Sequence, residues 1–229
     1  MHSQNNQDQP IDVYKYAGQE SVIKEAEDSL KRLGTDYIDL LQIHWPDVTT
    51  PIEETMEALE VLIQQGKVRA GGVSNYNLEQ VMEARQRLDI VSNQIPYSML
   101  NRKAEKQLVP YALEHNLSTI AYSPMERGLL TGKYFKDVSL QEGDHRKAYF
   151  KRFNIEKVRA FVAQLEPLAR SKKASLSQLV LRWTSLQPGI IIVLAGAGNA
   201  PQALENARAI EINLTQEELD FIQSALAEL

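Results

Sequence analysis

Five short apolar segments, each followed by a helical pattern, constrain this chain more than any other feature. Residues 37–43, 68–73, 90–94, 117–122 and 190–194 are short and mostly rich in branched or aromatic side chains, the profile of buried strands. Ahead of the first, Val22, Ile23, Ala26, Leu30 and Leu33 recur at helical spacing, and Gly34 stands where a helix C-cap falls. Pro51 opens a second helix with Met56, Leu59, Leu62 and Ile63 on one face, and Gly66 closes it. Asn77 with Gln80, Ser175 with Gln178 and Thr215 with Glu218 have the spacing of capping boxes. Another helix is expected over about residues 104–115. This alternation is the βαβ pattern of a parallel sheet, so the fold class is α/β. No linker divides residues 1–229, which read as a single domain. The first eighteen residues are polar and read as a loop or tail. The one long irregular stretch, residues 124–153, is rich in Lys, Arg, Gly and Asp, and a loop of that length in such a domain is usually functional.

Composition narrows the function. With 25 Lys+Arg against 30 Asp+Glu, the chain has no basic footprint for nucleic acid or an anionic membrane. It has no cysteine, which excludes a disulfide scaffold, a thiolate nucleophile and a Cys-ligated metal. The four histidines (His2, His44, His115, His145) are scattered without ligand spacing, so no metal site is expected. The apolar run 190–195 is far below membrane-spanning length, and no signal peptide is visible at the start. A soluble, cytoplasmic protein is the expectation.

The residues at the C-terminal end of each strand carry the chemistry. The segments end in His44, in Ser74-Asn75, in Asn93-Gln94, in Tyr122-Ser123-Pro124 and in Gly196-Ala197-Gly198-Asn199. Parallel strands put their C-terminal ends on one face, so these groups converge on one rim, where open α/β sheets and (β/α)₈ barrels bind ligands. Polar residues also sit at strand ends for plain turn and capping reasons, but five such ends favour a site. The Gly-rich dinucleotide turn, the P-loop and the Gly-x-Ser-x-Gly elbow are all missing.

The residues then carry a family resemblance. The run Ser29-Leu30-Lys31-Arg32-Leu33-Gly34-Thr35-Asp36-Tyr37-Ile38-Asp39-Leu40, leading into Gln42-Ile43-His44-Trp45-Pro46-Asp47, resembles the central signature of the aldo-keto reductases. Gly66-Lys67-Val68-Arg69 with Gly72-Val73-Ser74-Asn75 resembles the next. Asn93-Gln94, Ala121-Tyr122-Ser123-Pro124, Gly128-Leu129-Leu130-Thr131-Gly132-Lys133 and the stretch from Gly196 to Asn206 come after them in family order. The tone is nearest the bacterial members and the potassium-channel β-subunit-like branch, over roughly residues 20–226.

The resemblance implies a (β/α)₈ TIM barrel, NADP as cofactor with NAD as the other candidate, and hydride transfer to a small-molecule aldehyde or ketone. By the same resemblance, His44 is the catalytic histidine that hydrogen-bonds and orients the substrate carbonyl. Ser74, Asn75 and Gln94 hold the nicotinamide carboxamide, and Tyr122 stacks on the ring. Ser123, Pro124, Met125 and Gly128 wrap the pyrophosphate, and Lys133 and Arg146 contact the phosphates. Gly196, Gly198, Gln202, Glu205 and Asn206 hold the adenosine end. Gln202 stands where an arginine often meets the 2′-phosphate, so a preference for NADP rests on Arg146. Gly71 stands where the family usually has isoleucine, which is expected to weaken that strand slightly.

The family's catalytic Asp, Tyr and Lys belong to segments not found ahead of His44, and Tyr14, Lys15 and Tyr16 have the wrong spacing to be them. The expectation is therefore an incomplete barrel of about five parallel strands, lacking the first three. Its bare edges are candidates for self-association. Two functions stay open: a carbonyl reductase or a piece of one, and a non-catalytic cofactor-binding or interaction module without the acid.

Overall fold

The computed structural model describes residues 2–4, 10–12, 15–135 and 140–229. Its elements run β1 (His2–Gln4), β2 (Pro10–Asp12), α1 (Gln19–Leu33), β3 (Ile38–Ile43), α2 (Ile52–Gln64), β4 (Val68–Ser74), α3 (Leu78–Arg87) and β5 (Ser92–Pro96). They continue with α4 (Leu108–Glu114), β6 (Ser118–Tyr122), α5 (His145–Phe150), α6 (Ile155–Ser171), α7 (Leu176–Ser185), β7 (Ile190–Leu194), α8 (Ala200–Ala207) and α9 (Gln216–Ala227), with short 3₁₀ turns between. Strands β3 to β7 form the five-stranded sheet, in the order β3-β4-β5-β6-β7, and the ladders β3–β4, β4–β5 and β6–β7 are parallel. No helix among the described residues is long and apolar enough to cross a membrane.

The local signals work as their chemistry requires. Gly34 takes the left-handed conformation (φ 67°) and its N–H donates to the Leu30 carbonyl, closing α1. All three capping boxes form, with the Asn77, Ser175 and Thr215 side chains each accepting from the backbone N–H three residues on. Three differences from the sequence-based expectation have physical causes. Part of the polar N-terminal stretch pairs as the antiparallel ladder β1–β2, since three-residue strands are too short for propensity to reveal; the rest of that expectation lies outside the described residues. The third strand runs two residues later than periodicity suggests, its start set by pairing with β4 (Val73 opposite Asn93, Ser74 opposite Gln94). The helix expected from 104 divides at Gln107 (φ −144°) into a 3₁₀ turn, Lys103–Lys106, and α4.

The chain packs as two compact units, Met1–Gln94 with Glu114–Ser118, and Ile95–Leu113 with Thr119–Leu229. In the first, the apolar faces of α2 and α3 cover the sheet, with Met56, Leu59, Leu62 and Val81 fully buried. Each such side chain contributes about 1.5–3 kcal/mol through removal from water. Gly71 is part of this packing. A Cβ there would lie 3.2 Å from both Leu59 Cδ1 and Leu88 Cδ2, so large leucines from the helix layer fill the space a branched strand residue would take. In the second unit, Leu129, Leu130, Phe161, Leu165, Leu179, Trp183 and Ile222 form the core. The edge strand β7 leaves Ile191, Ile192 and Leu194 exposed.

Leu59→Ala is expected to cost about 2–5 kcal/mol, because it empties a fully buried site against which Gly71 offers no side chain to collapse. Urea denaturation measures this directly, and a loss below about 1 kcal/mol would show that Leu59 is not packed as described.

Candidate functional site

Within the first unit, three strand ends meet through Asn75. Just past β4 its backbone takes the left-handed conformation (φ 63°), which asparagine tolerates better than most residues. Its N–H donates to the Gln94 carbonyl at 2.8 Å, and its Nδ2 donates to the His44 carbonyl at 2.9 Å and to Ser74 Oγ at 3.1 Å. The buried Ser74 hydroxyl in turn donates to the Gln94 carbonyl at 2.9 Å. His44, Ser74, Asn75 and Gln94, picked out from strand ends alone, are thus one cluster. His44 is exposed beside Trp45, with ring centroids 5.9 Å apart, and lines an open groove of ≈ 720 Å³ with Trp45, Gln42 and Tyr16. Lys15 lies over the Trp45 ring at 3.9 Å, a cation–π contact.

Beneath this cluster lies a row that strand-end reasoning missed. Gln42 donates through Nε2 to Ser92 Oγ (3.0 Å) and to the Val73 carbonyl (3.3 Å), and its Oε1 accepts from Gln94 Nε2 at 3.0 Å. The available signal was a polar residue within the apolar strand run Leu40-Leu41-Gln42-Ile43.

Asp47 fixes the loop after His44. Its carboxylate accepts from the Ala17 N–H (3.0 Å), from the Thr49 N–H (2.8 Å) and hydroxyl (2.7 Å), and from the Thr50 hydroxyl (2.6 Å). Burial alone would raise its pKa, but the bonds from Thr50, Thr49 and Ala17 outweigh this and hold it well below the usual carboxylate range.

In the second unit, Tyr122 pairs with Leu194, so the loops after β6 and β7 leave the same end of the sheet. Tyr122 is half-buried, and burial pushes its hydroxyl pKa up. The loop behind it is strained: Ser123 (φ 57°), Glu126 (48°) and Arg127 (55°) are left-handed without being glycine, and Gly128 (93°) comes next. A Cβ on Gly128 would sit 3.0 Å from Tyr134 Cε2, so both conformation and contact demand glycine there. Ser123, Pro124, Met125 and Gly128 therefore belong to one tight turn. The buried Glu126 carboxylate holds it by accepting from the hydroxyls of Ser98 and Tyr149, while the Arg127 guanidinium lies 4.0 Å from the Tyr149 ring centroid. The Tyr149 pKa is pushed up to about 12, chiefly by burial and then by that bond.

Lys133 and Arg146 line one groove of ≈ 400 Å³. Lys133 is exposed. Arg146 is clasped: its Nε donates to both Asp144 oxygens (2.9 and 3.0 Å), Nη2 reaches Asp144 and Nη1 reaches the Tyr134 hydroxyl. The guanidinium brings the Asp144 pKa down to about 2. At the end of β7, Gln202 Oε1 accepts from the Gly198 N–H (2.7 Å), Asn206 Nδ2 donates to the Gly196 carbonyl (3.2 Å), and the Glu205 carbonyl accepts from Gln178. Gly196 and Gly198 thus sit in a mostly exposed turn ahead of α8, whose N-cap is Asn199, and are bonded to Gln202 and Asn206 within that helix, while the Glu205 carbonyl is held from α7. Among the described residues no group of three His, Asp or Glu side chains has metal-binding geometry.

This chain belongs to the aldo/keto reductase family, whose model matches residues 11–227. It is 39% identical over 189 residues to the aldo-keto reductase YhdN of Bacillus subtilis, covering 81% of this chain and 57% of that protein. It is 37% identical over 208 residues to the NADH-specific methylglyoxal reductase of Escherichia coli, covering 89% of this chain and 63% of that one. The chain thus spans less than two thirds of the length of these relatives. Among solved structures it resembles the glycerol dehydrogenase AKR11B4 from Gluconobacter oxydans, with a TM-score of 0.90 and 35% identity over 99% of this chain and 69% of that one. The five-stranded parallel sheet is therefore the α/β architecture of a (β/α)₈ barrel, here incomplete.

Asp47 sets a pH dependence. Its folded pKa lies below the unfolded value near 4, so its stabilising effect is full above that pH and is lost as pH falls through the folded value. Asp47→Asn is expected to be about 1–3 kcal/mol less stable than the wild type at pH 7, with the gap narrowing on acidification below about pH 4. Urea titrations of both proteins across that range check it; a gap that stays constant or widens would contradict the role given to the carboxylate.

Proposed function

We propose that this chain carries the cofactor rim and the carbonyl-orienting histidine of an NAD(P)H-dependent carbonyl reductase, and that its two units are parts of one barrel domain. The observation that carries the reading is the convergence of His44, Ser74, Asn75 and Gln94 through the bonds of Asn75. A reduced nicotinamide held there would supply the hydride. His44 donates a hydrogen bond from its imidazole to the carbonyl oxygen of a small aldehyde or ketone and fixes its approach. Ser74, Asn75 and Gln94 hold the carboxamide and so choose the ring face presented.

The residues present fit such a cofactor. No described residue takes up Gln94 Oε1, which supports an acceptor role toward a carboxamide. Tyr122 keeps an exposed part for stacking, and the turn from Ser123 to Gly128 supports a pyrophosphate-wrapping role. Lys133 and Arg146 sharing one groove supports phosphate contacts, and the mostly exposed turn at residues 196–199 with helix α8 behind it supports the adenosine end. NADPH is the favoured cofactor through Arg146, although Asp144 already neutralises much of that charge, and the Escherichia coli relative is by name NADH-specific. The exposed Ile191, Ile192 and Leu194 of edge strand β7 support self-association through that edge.

Two measurements test this reading. Calorimetric titration is expected to show Arg146→Ala weakening NADPH several-fold more than NADH, because only NADPH carries the 2′-phosphate a guanidinium grips. It is expected to show Tyr122→Ala weakening both, by about 0.5–1.5 kcal/mol for lost stacking. Equal losses in Arg146→Ala would remove the 2′-phosphate role, and no loss in Tyr122→Ala would remove the stacking role. In a steady-state assay with a small aldehyde, this chain alone is expected to oxidise NADPH about 10²–10⁴-fold more slowly than is usual for such reductases, since none of its residues is assigned as the acid that protonates the carbonyl oxygen. Full turnover would overturn that assignment.

A further inference from the structure

Strand register puts two rows of side chains on one face of the sheet. Gln42 pairs with Gly72, and Ser74 pairs with Gln94, so Gln42, Gly72 and Ser92 form the row directly below His44, Ser74 and Gln94. Gly72 is what lets the lower row connect. A Cβ there would overlap Ser92 Oγ and lie 3.2 Å from Gln42 Cγ, so only a glycine lets the Gln42 side chain cross β4 and reach β5.

The chemistry of the partners fixes the direction of every bond in this chain. The Val73 carbonyl accepts and cannot donate, so the Gln42 amide presents Nε2 to it at 3.3 Å, with Ser92 Oγ at 3.0 Å. That orientation leaves Gln42 Oε1 toward β5, where it accepts from Gln94 Nε2 at 3.0 Å. The Gln94 amide is thereby turned so that Oε1 is its outward atom. A primary amide can flip by half a turn with little change of shape, and on the other flip Gln94 would present N–H donors. Against the NH₂ of a carboxamide, donors repel and an acceptor binds.

We infer that Gln42 is a positioning residue for cofactor binding: by anchoring on the Val73 carbonyl and Ser92, it locks the Gln94 amide with its oxygen outward, as the acceptor for the carboxamide NH₂ of a nicotinamide. This rests on the reading in which Gln94 holds the carboxamide. The polarity starts from a backbone carbonyl and passes through two glutamines to the cofactor, and neither glutamine's orientation is adjustable without leaving an unmatched polar group in the row.

The test uses three probes on the full chain: NADPH, 2′,5′-ADP, which has no nicotinamide, and the reduced 3-acetylpyridine analogue of NADPH, whose acetyl group has no NH₂ to donate. In Gln42→Leu, the Gln94 amide loses its fixed flip. NADPH affinity is expected to fall about fivefold, the scale of one hydrogen bond, while 2′,5′-ADP and the acetylpyridine analogue bind as to the wild type. Ser92→Ala, a milder change that removes one of the two acceptors holding Gln42, is expected to give the same selective pattern at about twofold. Circular dichroism confirms folding of each variant, and if Gln42→Leu fails to fold the pattern is read from Ser92→Ala. A merely structural role would weaken NADPH and the acetylpyridine analogue together, and that result overturns the inference. So does unchanged NADPH binding in both variants. If wild-type NADPH binds no more tightly than 2′,5′-ADP, the placement of the carboxamide at Gln94 fails, and the inference fails with it through a distinct result.

Discussion

Asn75 ties together the ends of three strands, and the arrangement of the first unit's site depends on it. Its side chain donates to the backbone just after β3, its own backbone continues from β4, and its N–H donates to the end of β5. These bonds satisfy carbonyls that the sheet ladder no longer pairs once the strands diverge, so the rim is held by the short Asn75 and Ser74 side chains together with the Asn75 N–H. The left-handed backbone at Asn75 is what aims both donors at once. Functional groups on such a rim lose little freedom on binding, which is the physical basis of preorganisation. His44, attached to the carbonyl that Asn75 grips, inherits this rigidity.

The second unit solves a different problem. Its loop after β6 places consecutive residues in the left-handed region, each at a cost of order 1–3 kcal/mol unless the surroundings impose it. The imposing group is Glu126. Its buried carboxylate takes bonds from Ser98 on one side and Tyr149 on the other, so the turn bearing Ser123, Pro124 and Met125 and the helix bearing Arg146 are fastened to the same body. A buried carboxylate so bonded rigidifies through charge-assisted hydrogen bonds.

Much of this was legible in the sequence. Capping boxes at Asn77, Ser175 and Thr215 are local chemistry, so sequence spacing alone identifies them. The rim residues His44, Ser74, Asn75 and Gln94 are visible because parallel strands present their ends together. What stayed hidden depends on contacts distant in sequence. Gln42 reads as a polar interruption of a strand until register sets it beside Ser92 and Gln94, roughly fifty residues away. Gly71 reads as a weak point until the helix layer supplies Leu59 and Leu88. Arg146 reads as a free loop cation, and only the fold shows Asp144 and Tyr134 holding it. Glu126 gives no periodic signal at all, since its meaning lies in two hydroxyls from separate parts of the second unit.

The claim on which the functional reading turns is that the ends of β3, β4 and β5 form a carboxamide-binding surface. A crystal structure of this chain with NADP⁺ tests it most directly. The expected result places the carboxamide nitrogen within hydrogen-bond distance of Gln94 Oε1, with the ring within reach of the His44 side of the cluster. A nicotinamide bound elsewhere, or one disordered while the adenosine end is ordered, would contradict it.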